Sequence, residues 1–333
     1  MQDKIKQLVQ SSQATVVVQA DNPDADSLGS ALALEHILGD LGKEVALYCG
    51  VDIPSYLQHM PGWDRVQRDL PKQFDLSIIV DASTYTLLEQ LHKTGQLPWL
   101  KSRPCIVLDH HTTVEKPLDF AQVSYVDPEM ASTGELIFKL AKSLKWPVSL
   151  EAAEHIASSI LGDTQGLTND LTKANTYRTV ADLVDIGVNR PKLEEQRRES
   201  SKMAEVIYRY KGELIKRTEL AADGRIASVL VPQQEINTYS PLYNPAALVQ
   251  FDMLQISGVQ LAIVFKTYDD GRITGALRAN TAAPIANALA EHLGGGGHPY
   301  ASGFKITDGR TFNEVKAECI SQATNLLNSL PKN

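Results

Sequence analysis

Short β-branched runs alternate with stretches of helical period through the first half of the chain. ATVVVQA (14–20) reads as a strand, SLGSALALEHILGDLG (27–42) as an amphipathic helix and EVALYCG (44–50) as a second strand. FDLSIIVDA (74–82), PCIVLDHH (104–111) and QVSYVD (122–127) predict further strands. ASTGELIFKLAKSL (131–144), SLEAAEHIASSILGD (149–163) and TKANTYRTVADLVDIG (172–187) predict helices; the first has a Ser/Thr start and apolar residues at helical spacing. Strands alternating with helices imply a mostly parallel sheet covered on both faces.

Residues 188–217 change character, becoming dense in charge and helix formers. This stretch predicts a connecting helix, because a new β-rich pattern starts right after it. RIASVLVP (225–232), GVQLAIVFKTY (258–268) and RITGALRAN (272–280) read as strands of a mixed sheet. A helix at 284–294, a glycine run, a strand at 301–306 and a terminal helix at 311–330 follow. The expectation is an α/β protein of two domains. A parallel-sheet catalytic domain spans 1–187, a helical linker 188–217, and a smaller mixed α/β substrate-binding domain 218–333.

Composition narrows the class without naming a chemistry. The 333 residues are enough for two ordinary domains, and 43% hydrophobic with 22% charged residues is typical of a soluble globular chain. No apolar run approaches a membrane span, and MQDKIKQLVQSSQ lacks the apolar region of a secretory signal. Cys49, Cys105 and Cys319 are odd in number and scattered, which suggests neither a disulfide framework nor a zinc knuckle. The cytoplasm is the simplest expectation. A net charge of −8 argues against a broad surface for long duplex nucleic acid, though not against a small anionic substrate.

Four segments place aspartate or histidine at the end of an apolar run: VVVQADNPDAD (16–26), SIIVDAS (77–83), CIVLDHH (105–111) and SSILGD (158–163). Parallel strands deliver their C-terminal ends to one edge of the sheet, where ligands bind. Carboxylates and imidazoles converging there would suit divalent metals, and a metal pair removes the repulsion among the anions. Asp24 and Asp26, two apart in a loop leaving a strand, can contact different metals.

The motifs NPDADSLGS (22–30), VDAS (80–83), DHH (109–111), ASTGE (131–135), ILGDTQG (160–166) and GGGGHPYASG (294–303) occur in one order and spacing. In these the chain resembles the DHH phosphoesterase superfamily, within its two-domain branch. That branch includes nanoRNases with pAp-phosphatase activity, dinucleotide phosphodiesterases and RecJ-type exonucleases. The resemblance implies a first metal on Asp24, a second on Asp26, His110 and Asp163, and Asp81 bridging both. It implies manganese, with magnesium or cobalt as alternatives. Asp109 would orient His110 or His111, and His111 would contact the scissile phosphate; these are the catalytic candidates. The substrate-binding candidates are Arg278, Gly295, Gly296, Gly297 and His298, facing the metals across the linker.

One position departs from the family pattern, which has histidine four residues before the first aspartate. Ala20 stands there and cannot ligate a metal, so the first metal site is expected to be weakened; Gln19 and Asp21 flank it. The expected function is hydrolysis of short oligonucleotides, dinucleotides or pAp by a metal-activated water. A non-catalytic nucleotide sensor and a family II pyrophosphatase-like activity are the alternatives, the latter disfavoured by the GGGGH block. The expected partners are a nucleotide or short nucleic-acid substrate and no membrane, while homodimerisation stays open. Ser132 and Thr133 are read first as a helix cap. His36, His59, His92, His155 and His292 are read as ordinary histidines, and Trp63, Trp99 and Trp146 as loop packing.

Overall fold

The computed structural model describes residues 1–111, 117–200 and 202–330, without the side chain of His298. The chain divides into two compact units, Met1–Lys202 and Met203–Asn333. Among the described residues, no helix is long and apolar enough to cross a membrane.

Unit 1 is built on strands β1 (Ala14–Val18), β2 (Glu44–Tyr48), β3 (Val66–Gln67), β4 (Leu76–Val80), β5 (Cys105–Asp109) and β6 (Val123–Val126). They lie in the order β3-β2-β1-β4-β5-β6, and every pairing is parallel. Its helices are α1 (Gln2–Ser11), α2 (Ala25–Asp40), α3 (Glu89–Lys93), α4 (Leu97–Lys101), α5 (Thr133–Leu144), α6 (Leu150–Asp163), α7 (Ala174–Ile186) and α8 (Arg190–Ser200).

The period of two along each strand sends alternate side chains to opposite faces. Val17, Ile78, Val80, Ile106 and Leu108 join one core with Leu28, Leu32, Leu136 and Ile156 of α2, α5 and α6. Val16, Val18, Ile79 and Val107 join a second core with Leu91 of α3 and Leu100 of α4. Both faces are therefore dry, which is why these strands read as unbroken apolar runs. The strand order reverses at β1, with β2 on one side and β4 on the other. That topological switch point opens a crevice at the strands' carboxyl ends.

Helix α2 is buried from Asp26 through Leu34. It packs closely against α6: a Cβ added at Gly162 would lie 2.6 Å from the Ala25 Cβ. The missing side chain lets the end of α6, with Asp163, come down beside the start of α2.

Unit 2 carries α9 (Glu205–Lys216), α10 (Gln233–Tyr239), α11 (Pro245–Leu254), α12 (Ala286–His292) and α13 (Phe312–Ser329). Its strands are β7 (Glu219–Ala221), β8 (Ile226–Pro232), β9 (Leu261–Thr267), β10 (Ile273–Ala279), β11 (Gly296–His298) and β12 (Ala301–Ile306). They form a mixed sheet in the order β11-β12-β10-β9-β8-β7, with β8 and β9 parallel and the other pairs antiparallel. The charged stretch 188–217 is two helices: α8 within unit 1, and α9 within unit 2, where Ile207, Tyr210 and Leu214 enter a core. Helix α11 buries Leu248, Val249, Gln250 and Met253 on more than one side, so it has no single apolar face.

Candidate metal centre

The loop after β1 ends at Asp24, which is the N-cap of α2: its Oδ1 accepts from the Ser27 amide at 3.0 Å. Helix α2 thus starts at Ala25, two residues earlier than its apolar period indicates. This corrects the picture of Asp24 and Asp26 as two loop residues, since a cap and a helical position hold them rigidly apart. Asp26 is 1% exposed and tightly held. Its Oδ2 accepts from the Thr133 amide at 2.8 Å, and its Oδ1 from the Gly134 amide at 3.1 Å, Ser159 Oγ at 2.6 Å and Ser30 Oγ at 3.0 Å. Two of these donors are the first amides of α5, where a helix terminus favours an anion.

Asp81 follows β4 with φ of 57°, a left-handed conformation for a non-glycine residue. Its amide donates to the Leu108 carbonyl at 2.9 Å, and its Oδ1 accepts from Thr133 Oγ1 at 3.2 Å. Burial pushes the Asp81 carboxyl well above the usual range, and the charges of Asp26, Asp24, Asp109 and Asp163 push it further. Four neighbouring carboxylates have this consequence by Coulomb's law.

At the end of β5, Asp109 Oδ1 accepts from the amides of His110 and His111 at 2.7 and 3.1 Å, and lies 2.7 Å from His111 Nδ1. Burial raises its pKa, but the hydrogen bonds from His111 and Ser83 outweigh that and hold it below the ordinary value. Asp109 therefore orients the ring of His111. The His110 ring is oriented instead by the Met130 carbonyl, 3.3 Å from its Nδ1.

The His110 Nε2 faces Asp163 Oδ2 at 3.0 Å, Asp26 Oδ2 at 3.5 Å and Asp81 Oδ1 at 3.8 Å. It is buried and makes no aligned hydrogen bond, although Asp163 is close. Burial lowers the His110 pKa, yet Asp163, Asp26 and Asp109 bring it up to about 9. Burial and the charges of Asp26 and Asp24 raise the Asp163 carboxyl.

Two groups of side chains offer ligand atoms within 4.8 Å of one another: Asp26, His110 and Asp163, and Asp81, His110 and His111. A nitrogen without an aligned partner, surrounded by carboxylate oxygens, fits a divalent cation, and the mixed imidazole–carboxylate set suits a first-row metal. Asp24 belongs to neither group among the described residues. Ala20 is 3% exposed, in the core with Val18, Tyr48 and Ala82. Asp21 turns to α3, its Oδ2 accepting from the Gln90 amide at 2.7 Å.

Residue reading of the sequence missed Thr133, Gly134 and Ser159. The Ser132–Thr133 pair does cap a helix, with Ser132 Oγ accepting from the Glu135 amide at 3.1 Å, while Thr133 also reaches both Asp26 and Asp81. A signal was present: Ser30 and Ser159 each lie four residues from a candidate ligand on the same helix, hence on the same face.

In unit 2, Arg278 lies partly buried on β10 with its guanidinium 5.2 Å from the Phe251 ring, and its Nε is buried without a partner. The register pairs Ala301 with Arg278 on one side and His298 on the other, so the two candidates share one rung of the sheet. The side chain of His298 lies outside the described residues. Gly295 and Gly297 have a packing reason: an added Cβ would meet the Gly303 carbonyl oxygen at 2.1 Å and the Ala301 carbonyl oxygen at 2.7 Å, respectively. Gly296 faces open space. A cavity of about 460 Å³ in this unit is lined by Gly294, Gly295, Lys266, Lys305 and Ser302 among others.

Comparison with known proteins agrees with this architecture. Residues 14–162 match the DHH family, N-terminal domain, and residues 244–329 match the DHHA1 domain. The chain belongs to the two-domain DHH–DHHA1 branch of the DHH phosphoesterases. It is 26% identical over 288 residues to the bifunctional oligoribonuclease and PAP phosphatase NrnA of Bacillus subtilis (strain 168), covering 85% of this chain and 86% of that protein. It is 25% identical over 312 residues to an uncharacterized Mycoplasma pneumoniae protein, covering 88% and 86%. An exopolyphosphatase-related protein from Bacteroides fragilis shares the fold with a TM-score of 0.82 at 22% identity, over 98% of this chain and 97% of that one.

Proposed function

We propose that this protein is a metal-dependent hydrolase of phosphoester bonds whose substrates are short oligonucleotides, dinucleotides or pAp. The observation that supports it most is the convergence of Asp26, His110 and Asp163 on one point, with His110 Nε2 3.0 Å from Asp163 Oδ2 and lacking an aligned hydrogen bond. The similarity to the NrnA protein, whose name gives both activities, supports the substrate class.

Asp26, His110 and Asp163 would hold one divalent ion, with Asp81 shared toward a second near Asp24; we propose manganese. Such an ion, when bound, neutralises phosphate charge and lowers the pKa of an attacking water. The residues prepare for it in separate ways. The α5 amides and Ser159 fix Asp26, the Met130 carbonyl fixes the ring of His110, and Thr133 Oγ1 fixes Asp81. His111, 54% exposed at its side chain and aimed by Asp109, is free to donate to a phosphate oxygen. The hydrogen bond to Asp109 raises its pKa, which favours the proton that such a contact needs. To unit 2 we assign the remainder of the substrate, with Arg278 and the segment 295–298 binding a phosphate. The three cysteines are buried and unpaired, as fits a reducing cytoplasm.

The test is a panel of short RNA, short DNA, cyclic dinucleotide and pAp with Mn²⁺. Turnover of at least one, lost in Asp81→Ala, is expected. No turnover on any of them, with Ala20→His failing too, overturns the reading.

A further inference from the structure

The candidate ligands Asp24 and Asp163 form one wall of a cavity of about 300 Å³ that lies wholly within unit 1. Tyr56, Leu57, Met60, Leu161 and Leu193 give it apolar walls, while Ser158, Glu194 and Arg197 add polar groups. The Tyr56 ring is 52% exposed, and its hydroxyl donates to the Pro23 carbonyl at 3.3 Å, one residue before Asp24. This fixes an aromatic face beside the ligand loop. His59 lines the same recess; its Nδ1 is 2.8 Å from the Tyr56 carbonyl, so that nitrogen carries the proton and Nε2 is an acceptor.

The recess opens on a second cavity of about 460 Å³ that shares Leu161, Gly162, Glu194 and Arg197 with it. The second is lined by Arg190, Arg197 and Arg198 of α8 beside the turn at Gln165 and Gly166. Glu194 bonds both neighbours: Arg197 through Nε at 2.9 Å and Nη2 at 2.8 Å, and Arg198 through Nε at 2.8 Å. Three arginines against one glutamate leave this groove positive on a chain of net charge −8.

We propose that α8 and residues 54–60 form a nucleotide subsite: the nucleoside of the substrate occupies the apolar recess, and its outward phosphate lies on Arg190 and Arg198. A nucleobase has apolar faces and polar edges, and it stacks on an exposed aromatic ring. The volume is at the small end for ligand pockets, which suits one nucleoside. Arginine recognises a phosphate through paired donors. The subsite rests on the phosphoesterase reading, because only a phosphate held by the metal that Asp24 and Asp163 would help to bind places its nucleoside in this recess. It gives unit 1 its own contacts to a nucleoside bisphosphate or dinucleotide, apart from those assigned to unit 2.

The test is calorimetric titration of adenosine 3′,5′-bisphosphate, and of adenosine as a phosphate-free control, into the full chain, metal-free and with Mn²⁺. Leu193→Trp, which fills the recess, is expected to weaken the bisphosphate at least tenfold. Arg190→Ala with Arg198→Ala is expected to weaken it at least tenfold while changing adenosine less than twofold. Circular dichroism and thermal melting establish that the variants are folded. The proposal is overturned if both variants bind as the parent does while Arg278→Ala does not, or if the parent binds neither ligand under either condition. Turnover of the parent with Mn²⁺ is a separate measurement. Its absence across the substrate panel, with Ala20→His inactive too, overturns the phosphoesterase reading, whereas the binding contrast, which requires no turnover, still decides the subsite.

Discussion

Ser159→Ala removes one hydroxyl that three elements share. Its proton goes to Asp26 Oδ1 at 2.6 Å, and its oxygen receives the Gly134 amide at 3.1 Å and Ser132 Oγ at 2.8 Å. The residue is fully buried, so water does not replace it. A hydrogen bond to a charged group contributes about 1.5–3 kcal/mol. A loss of about 2 kcal/mol lowers the melting temperature of a domain this size by about 4–8 °C. The larger effect is on Asp26, which keeps Ser30 Oγ and two amides but loses its shortest bond. Groups that orient a ligand change metal affinity by about 10–100-fold. Isothermal titration with Mn²⁺ reads that change, with thermal melting alongside. Ser143→Ala is the control, because that hydroxyl donates only to the Leu140 carbonyl of its own helix, at 2.8 Å. An Mn²⁺ affinity within twofold of the parent would refute the claim that Ser159 positions a ligand.

Asp81→Asn should raise the melting temperature of the metal-free protein while abolishing Mn²⁺ binding, since it removes a buried charge repelled by four others and asparagine tolerates a left-handed φ; a fall in that temperature would count against it. Burial, aided by the charges of His36 and Arg65, drives the His155 pKa down to about 3, below the unfolded value of about 6.5. The unfolded chain therefore takes up the proton first, and stability is lost as pH falls below about 6.5, by about 1.4 kcal/mol per unit. The urea-derived stability of the parent minus that of His155→Phe should drop by about 2 kcal/mol between pH 7.5 and 5, and a constant difference would refute this. Gly162→Ala presses a methyl onto Ala25 and should cost about 1–3 kcal/mol as well as weaken Mn²⁺ binding, so unchanged values would show that α2 and α6 can part freely.

Much of this fold was legible because both faces of the first sheet are dry. Five-residue runs such as LSIIV and CIVLD are buried throughout, and burial of that kind leaves an unmistakable apolar run. The short edge strand Val66–Gln67 left no such mark, being two residues long with one exposed. Candidate ligands were legible for a related reason: a parallel strand ends at the crevice, so a charged residue ending an apolar run has one place to go. What a linear pattern cannot carry is the second rank of contacts. Thr133 meets Asp26 from 107 positions away and Ser159 from 133, and no local period encodes either distance. The cavity beneath α8 was hidden for the same reason, since its walls come from four separate stretches and its arginines read locally as part of a charged connecting helix.

The sharpest expectation concerns the alanine at position 20. The family pattern has histidine there; here a methyl group is packed in the core with Val18, Tyr48 and Ala82. Asp21 turns toward α3, where its Oδ2 accepts from the Gln90 amide at 2.7 Å, while its Oδ1 is buried without a hydrogen-bond partner. On the proposed assignment, Asp24 and the shared Asp81 would be the protein's contribution on that side, whereas Asp26, His110 and Asp163 already converge. Calorimetry should therefore count one tight Mn²⁺ per chain, with a second only at high concentration or when a substrate phosphate supplies the missing oxygens. Ala20→His should tighten the second ion and raise turnover together. Two equally tight ions in the unaltered protein would overturn this account. Asp21, whose Oδ1 is buried and unpartnered, would then be the residue to substitute first, followed by Gln19, whose amide atoms are both buried without a partner.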